Sequence, residues 1–230
     1  MISKNIWVLT HQRSGSSYFC SIVNQLLNIN LNEYFLDKIV LENYKIDLSW
    51  CKDIETWKKF LLKLEDFNSI KNLLPSCNKI HYSQYQQYEL FDVKKYLKKM
   101  YPDIVFIILE RNNKIAAAVS AYIAEYTNIW AVHTIDNYNR FTRINIPYNF
   151  NRIKNFYNLF LDIKNKWIEH FLYEDHYYYI TYEQFEDNQK NISDLIGIKN
   201  SIINRHIKQV HPKSLEFIER FSNEINNFYQ

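Results

Sequence analysis

The sequence predicts an α/β protein in which a central parallel β-sheet is flanked by helices, a three-layer arrangement similar to the P-loop fold. Short apolar segments alternate along the 230-residue chain with longer segments whose apolar residues recur at helical spacing. The short segments are apolar at successive positions, which is typical of strands buried on both faces of a parallel sheet. A composition of 47% hydrophobic and 23% charged residues suits a packed core. The length favours a single domain over residues 1–230.

The predicted strands are the short apolar segments, and most of them lead into a segment with a helical pattern. The strands are predicted at residues 5–10, 79–83, 103–109 and 176–181. The helices are predicted at about 17–27, 54–67, 90–100, 113–127, 153–171 and from 182 onward, with Asn112 or Asn113 capping the fourth. Ligands of parallel α/β sheets bind beyond the carboxyl ends of the strands, so the loops after the strands are the candidate sites.

Charge, hydropathy and cysteine content exclude several classes of protein. The 28 Lys and Arg residues against 25 Asp and Glu give a net charge of +3, too small for a dedicated nucleic-acid or membrane-surface protein. The longest apolar run, residues 104–109, is much shorter than the ~20 residues of a membrane span. Three widely separated cysteines match neither a disulfide framework nor a zinc motif, so we expect a cytoplasmic protein. His206 and His211 lack a third ligand at metal spacing, and no metal is expected.

Two scarce residue types indicate where the functional segments lie. The chain has only two glycines, and one of them, Gly15, lies in the loop after the first predicted strand. All six alanines fall between Ala116 and Ala131, directly after the third predicted strand. In a chain that otherwise avoids both residues, these positions indicate a close backbone approach and a tightly packed helix.

The first loop has the composition of an anion-binding site. It contains Arg13, Ser14, Gly15, Ser16 and Ser17 between a predicted strand and a helix start. Free backbone N–H groups and the positive end of the helix attract phosphate or sulfate there, and an arginine can add a bidentate contact. The loop lacks the Lys and the first Gly of a P-loop, which argues against an ordinary ATP or GTP enzyme. A turn with a capped helix remains the alternative interpretation.

The second segment offers a further pair of anion ligands. Arg111 directly follows a predicted strand, and Ser120 lies nine residues later on the alanine-rich helix. An arginine at a strand end and a hydroxyl on the next helix can hold a second anionic group. The alternative is a surface arginine next to a closely packed core helix.

Taken together, residues 12–17 and 110–120 resemble the nucleotide-binding motifs of sulfotransferases, above all the bacterial trehalose 2-sulfotransferase and lipopolysaccharide-sulfotransferase type. The resemblance implies that the first loop binds the 5′-phosphosulfate of 3′-phosphoadenosine 5′-phosphosulfate (PAPS). It also implies that Arg111 and Ser120 bind the 3′-phosphate of the same co-substrate. Gln12 replaces the proline that is common just before the loop arginine.

Further stretches match the same family in order along residues 5–225. Residues 33–35 resemble its Glu-Tyr/Phe-Phe motif, which implies that Glu33 is the catalytic base. The other matches are residues 79–82, 121–130 with Trp130 expected in the core, Tyr182-Glu183, and a basic C-terminal helix over 208–221. Residues 36–77 match poorly, and acceptor specificity would be expected there.

Two basic residues, His81 and Lys208, each have two possible interpretations. His81 is the second candidate for the base, although a hydrogen-bonded core histidine is the alternative. Lys208, with Arg205 and Lys213, could close over the 3′-phosphate or simply form a solvated helix face.

The resemblance implies sulfuryl transfer from PAPS to a hydroxyl of a carbohydrate or glycolipid, with Arg13 assisting catalysis and without a metal. Dimerisation is common in that family, so a homodimer is compatible with it. A P-loop-like small-molecule kinase and a non-catalytic nucleotide-binding protein remain as alternatives.

Overall fold

A computed structural model describes residues 6–27, 77–82, 98, 104–130, 135–171, 177–187 and 210–229. Within these residues the protein has a four-stranded, fully parallel sheet with the strand order β2-β1-β3-β4. The strands are β1 (Ile6–Thr10), β2 (Cys77–His81), β3 (Val105–Glu110) and β4 (Tyr177–Thr181). The four predicted strands are therefore confirmed, although β2 starts two residues earlier than predicted.

The helices of the described residues lie between and after the strands. They are α1 (Ser16–Leu27), α2 (Lys114–Thr127), α3 (Ile135–Arg143), α4 (Phe150–Phe171), α5 (Tyr182–Asp187) and α6 (Ser214–Phe228). Helix α3 was not predicted, because most of its residues are polar and Phe141 is its one buried residue. The predicted helices 54–67 and 90–100 lie outside the described residues, apart from Lys98.

The C-terminal helix differs from the one that the sequence predicted. It begins at Ser214 rather than at 208 and continues to Phe228. His211 and Lys213 precede it, because the backbone N–H of Ser214 bonds to the His211 carbonyl oxygen in a turn at 2.9 Å. Residues 208 and 209 lie outside the described part of the chain.

Both faces of the sheet are covered by helices, which confirms the three-layer, P-loop-like α/β fold. Successive residues of β1 point to opposite faces, as strand geometry requires. Ile6 and Val8 pack with α1 and α5, whereas Trp7 and Leu9 pack with α2, α4 and α6. The central strands β1 and β3 are therefore apolar along nearly their whole length, and this is the continuous pattern read in the sequence.

Candidate functional site

The loop after β1 is fixed to the neighbouring strand by two buried hydroxyls. The Thr10 hydroxyl donates to the Leu109 carbonyl oxygen at 2.8 Å, and the Thr10 and Ser14 Oγ atoms are 2.5 Å apart. The Thr10 hydroxyl uses its one proton in the bond to the Leu109 carbonyl oxygen. Ser14 is therefore the donor in the bond between the two hydroxyls. The Ser14 side chain, predicted as an anion ligand, is therefore used inside the protein, and its backbone N–H is the group it can offer.

The backbone N–H groups of this loop have no acceptor within the part of the chain that the structure describes. Helix α1 starts with a hydrogen bond from the Phe19 N–H to the Gly15 carbonyl oxygen at 3.0 Å. Among the described residues, no acceptor contacts the N–H groups of residues 14–17. Free N–H groups at a helix N-terminus form an electropositive anion site.

Glycine is required at position 15 for two reasons. Its φ of +85° lies in the left-handed region that side chains disfavour. A Cβ atom added there would lie 2.1 Å from Cδ2 of Tyr182, far inside van der Waals contact. The Tyr182 ring therefore packs directly on the loop backbone.

Arg13 connects the two segments that the sequence singled out. Its Nε donates to the Ser120 hydroxyl at 2.8 Å, and its Nη1 donates to the Trp130 carbonyl oxygen at 2.7 Å. Arg111 in turn donates from Nη1 to the Arg13 carbonyl oxygen at 3.4 Å. Burial, with a smaller effect of Arg111, lowers the pKa of Arg13 to about 10, so the guanidinium stays charged at neutral pH.

The two anion sites predicted separately are thus adjacent and share Arg13. Trp130 was expected in the core, but this is wrong because its side chain is 43% exposed. Its carbonyl, rather than its ring, makes the contact with Arg13.

Arg111 is held by residues that follow β4. Its guanidinium carbon lies 5.6 Å from the centre of the Tyr182 ring. Glu183 accepts hydrogen bonds from the backbone N–H groups of Asn112 and Asn113. In the sequence, Glu183 is recognisable only as part of a motif, which assigns it no role.

Lys79 lies in the middle of β2 and His81 at its carboxyl end, and both are close to the loop after β1. The Lys79 ammonium donates to the Ser17 hydroxyl at 3.1 Å, and His81 is in register with Thr10. Burial, followed by the charges of Lys79 and His11, lowers the pKa of His81 to about 3. His81 is therefore neutral at physiological pH.

His11 is a buried histidine at this end of the sheet that the sequence analysis missed. Its ring stacks on Phe160 with 4.3 Å between ring centroids, and Nδ1 lies 2.7 Å from the Gln12 carbonyl oxygen. Because that carbonyl can only accept, Nδ1 carries the proton and Nε2 presents a lone pair. Nε2 has no hydrogen-bond partner among the described residues. Burial, with smaller effects of Lys114 and Arg111, lowers the pKa of His11 to about 4.

Two of the predicted site residues, Glu33 and Lys208, lie outside the described residues. Lys213 is described, and it forms an exposed ion pair with Glu216 at 2.9 Å. In the described segments, no group of three His, Cys, Asp or Glu side chains could hold a metal ion. No helix among the residues described is long and apolar enough to span a membrane.

Among the described residues, loop amides without an acceptor and two arginines lie at the ends of adjacent parallel strands of an α/β protein, an arrangement that suits a ligand with several negative charges. Comparison with known proteins narrows this class. The family model for Stf0 sulphotransferase matches residues 76–227, which is more than half of the 230 residues. The chain belongs to this family and is a sulfotransferase, so the family predicted from the sequence motifs is confirmed. The loop after β1 lies before the matched segment.

Solved structures give more distant matches. A sulfotransferase from Alicyclobacillus acidocaldarius is 13% identical with a TM-score of 0.48, over 98% of this chain and 94% of that one. The mouse sulfotransferase SULT7A1 complexed with PAP is 15% identical with a TM-score of 0.46. That match covers 96% of this chain and 64% of the mouse chain. No curated protein matches the sequence.

Proposed function

We propose that the protein transfers a sulfuryl group from PAPS to a hydroxyl of a carbohydrate or glycolipid. The observation that carries this proposal is the position of Arg13 between the open loop amides and the pair formed by Arg111 and Ser120. A nucleotide with anionic groups on both the 5′ and the 3′ positions of its ribose suits two adjacent anion sites. PAPS, with a 5′-phosphosulfate and a 3′-phosphate, has this charge distribution.

The described residues divide between the two ends of the nucleotide. The N–H groups of residues 14–17 and the hydroxyls of Ser16 and Ser17 are proposed to bind the phosphosulfate. Lys79 contacts Ser17, which supports a place beside the transferring group. Arg111 and Ser120 are proposed to bind the 3′-phosphate, and Lys208 to approach it from the C-terminal segment.

The proposed reaction breaks the bond between sulfur and the oxygen that bridges it to the 5′-phosphate. A new sulfur–oxygen bond forms to the acceptor hydroxyl, whose proton passes to a base, and adenosine 3′,5′-bisphosphate leaves. Negative charge develops on the bridging oxygen, and preorganised donors there stabilise the transition state. Arg13, Lys79 and the loop amides would supply this stabilisation, so the proposal includes no metal ion.

Glu33 is the proposed base and His81 the second candidate. A carboxylate can orient an acceptor O–H before it takes the proton. His81 lies at the correct end of the sheet, but a pKa of about 3 makes it a weak base before an anionic donor binds nearby. With labelled PAPS and a panel of sugars and glycolipids, Glu33→Gln should lower turnover by ~10²–10⁴-fold. Normal turnover in Glu33→Gln together with a loss of turnover in His81→Asn would identify His81 as the base instead.

The proposal also includes the acceptor class, a homodimer and a cytoplasmic location. The acceptor and the dimer rest on the family resemblance. The exposed ring of Trp130, whose carbonyl contacts Arg13, supports the acceptor because it offers an apolar face next to the site. The cytoplasmic location rests on the three widely separated cysteines, whose spacing matches no disulfide framework.

Calorimetry in the absence of metal ions tests the proposal. Adenosine 3′,5′-bisphosphate should bind at least about tenfold tighter than AMP, a difference of ~1.4 kcal/mol. Equal affinities for the two nucleotides would contradict the PAPS proposal. Turnover of ATP with magnesium would favour a kinase, and tight bisphosphate binding without sulfuryl transfer would favour a binding protein.

A further inference from the structure

The turn that carries Arg111 is bonded to the turn that follows β4. In the parallel register of β3 and β4, Glu110 lies opposite Thr181, so the residues after both strands are neighbours. Glu183 uses both carboxylate oxygens there. Oε2 accepts from the Asn112 N–H at 2.9 Å, and Oε1 accepts from the Asn113 N–H at 3.1 Å.

Glu183 is ionised in this position. Burial alone would raise its pKa, but the two N–H donors and the charge of Arg111 outweigh burial and keep the pKa below the usual value. Hydrogen bonds to a charged acceptor are stronger than those between neutral groups. The carboxylate therefore restrains two consecutive peptide groups directly after Arg111.

A capping box restrains the helix start from which Glu183 projects. The Thr181 N–H donates to Oε1 of Gln184 at 3.3 Å, and the Gln184 N–H donates to the Thr181 hydroxyl at 3.2 Å. Between these two residues, Tyr182 packs on Gly15 and lies beside the Arg111 guanidinium. The segment from Thr181 to Gln184 thus touches both anion sites.

We infer that Glu183 is a positioning residue for the 3′-phosphate site, which it serves by fixing the peptide groups next to Arg111. Both of its oxygens are engaged by backbone N–H groups, so it acts on the ligand only through Arg111. This inference rests on the proposed function, because it takes the 3′-phosphate of the donor as the partner of Arg111. It goes beyond it by assigning nucleotide selectivity to a residue that does not contact the nucleotide.

The test is the ratio of the Kd for AMP to the Kd for adenosine 3′,5′-bisphosphate, measured by calorimetry. In Glu183→Ala this ratio should fall from at least about ten to below about three, while the Kd for AMP changes by less than about twofold. Glu183→Gln keeps one acceptor oxygen, so its ratio should lie between those of the wild type and Glu183→Ala. A general loss of stability would not give this graded loss of selectivity.

Gln184→Ala is the matched control on the same short helix. It removes the side-chain half of the capping box and should lower Tm, but the bond from the residue 184 N–H to the Thr181 hydroxyl still holds the helix start. The Glu183 bonds therefore remain, and the ratio should stay at the wild-type value. A wild-type ratio in both Glu183 variants would overturn the inference, as would an equal loss of both nucleotides in Glu183→Ala. An equal fall of the ratio in Gln184→Ala would also overturn it. A wild-type protein without selectivity would instead contradict the proposed function.

Discussion

The protein contains two strand–loop–helix junctions at the same edge of its sheet. They differ in whether their backbone N–H groups have hydrogen-bond acceptors among the described residues. After β1, the N–H groups of residues 14–17 have no acceptor among the described residues. After β3, Glu183 accepts from Asn112 and Asn113, and the Asn113 side chain accepts from Ala116 at 2.8 Å. The first junction is open to an anion, whereas protein acceptors already fill the second.

The difference shows how one sheet can present two kinds of anion site. At the open junction the backbone is available for direct contact, and Gly15 permits the close approach. At the filled junction the backbone N–H groups already donate to Glu183, so the contact with a ligand has to come from the Arg111 side chain. Substitutions at the first junction should therefore act through backbone geometry, and those at the second through the arginine or the cap.

The largest effect is expected from Gly15→Ala. The new Cβ would meet the Tyr182 ring at 2.1 Å, and φ at this position is +85°. Strained backbone and overpacking each cost on the order of 1–3 kcal/mol, so nucleotide binding should fall at least about 100-fold and Tm should fall as well. Calorimetry and thermal unfolding measure the two effects.

The double variant Gly15→Ala/Tyr182→Ala is the control for the clash. Removing the ring should restore part of the lost stability, because the two residues are in direct contact. Wild-type Tm and affinity in Gly15→Ala would show that the loop does not depend on this close packing.

Arg111→Ala should have the next largest effect, confined to the 3′-phosphate. A charge-assisted hydrogen bond contributes ~1.5–3 kcal/mol, so the affinity for adenosine 3′,5′-bisphosphate should fall about 10–150-fold. The affinity for AMP should hardly change. Arg140→Ala, at an exposed position of α3, is the matched control and should leave both affinities unchanged. A similar loss of affinity for both nucleotides in Arg111→Ala would contradict the assignment of Arg111 to the 3′-phosphate alone.

Acid should weaken the open junction before the filled one. Burial lowers the pKa of His11 from 6.5 to about 4. The unfolded chain therefore takes up this proton first, so the stabilisation from neutral His11 is complete above pH 6.5 and is lost as the pH falls towards 4. At pH 5 the loss is ~2 kcal/mol, at about 1.4 kcal/mol per pKa unit. The pKa of Glu183 is lowered from 4.5. Its contribution to stability is therefore lost only as the pH falls below 4.5.

His11→Phe separates this titration from other acid effects. The variant keeps a ring to stack on Phe160 but removes the proton site. Its Tm should fall less between pH 7 and pH 5 than that of the wild type, with His81 accounting for part of the remaining slope. Equal slopes in the two proteins would show that His11 does not titrate in this range.

The sequence predicted those parts of the site that depend on local pattern. Gly15 after an apolar strand and Arg111 before an alanine-rich helix indicated the loops that follow β1 and β3, whereas the ligand roles of their residues stay predictions. The contact between Arg13 and Ser120 could not be predicted, because the direction of a side chain across the sheet depends on packing between residues 107 positions apart. His11 and Glu183 were missed for the same reason, since their partners Phe160 and Asn112 are distant in sequence.

The same reasoning applies to the fold. The central strands β1 and β3 were predicted from a continuous apolar signal, because both of their faces are buried. Strand β2 has the polar residues Asn78 and Lys79 near its start, and it was placed two residues late. Helix α3 buries Phe141 and is otherwise mostly polar, so it offers no run of apolar residues from which a core helix is predicted.

The smallest effect, and the sharpest test of the filled junction, is expected from Asn113→Ala. The Asn113 side chain caps α2 by accepting from the Ala116 N–H, and loss of such a cap costs ~1 kcal/mol. Because Glu183 still holds the Asn112 and Asn113 N–H groups, Arg111 should stay in place and nucleotide selectivity should not change. Asn149→Ala is the matched control, since Asn149 accepts from the Arg152 N–H at 3.0 Å at the start of α4, which is remote in sequence from both junctions. Similar falls in Tm with unchanged selectivity in both variants would identify the cap as purely structural. A loss of selectivity in Asn113→Ala alone would show that the cap itself helps to orient Arg111, and that the second junction depends on more than Glu183.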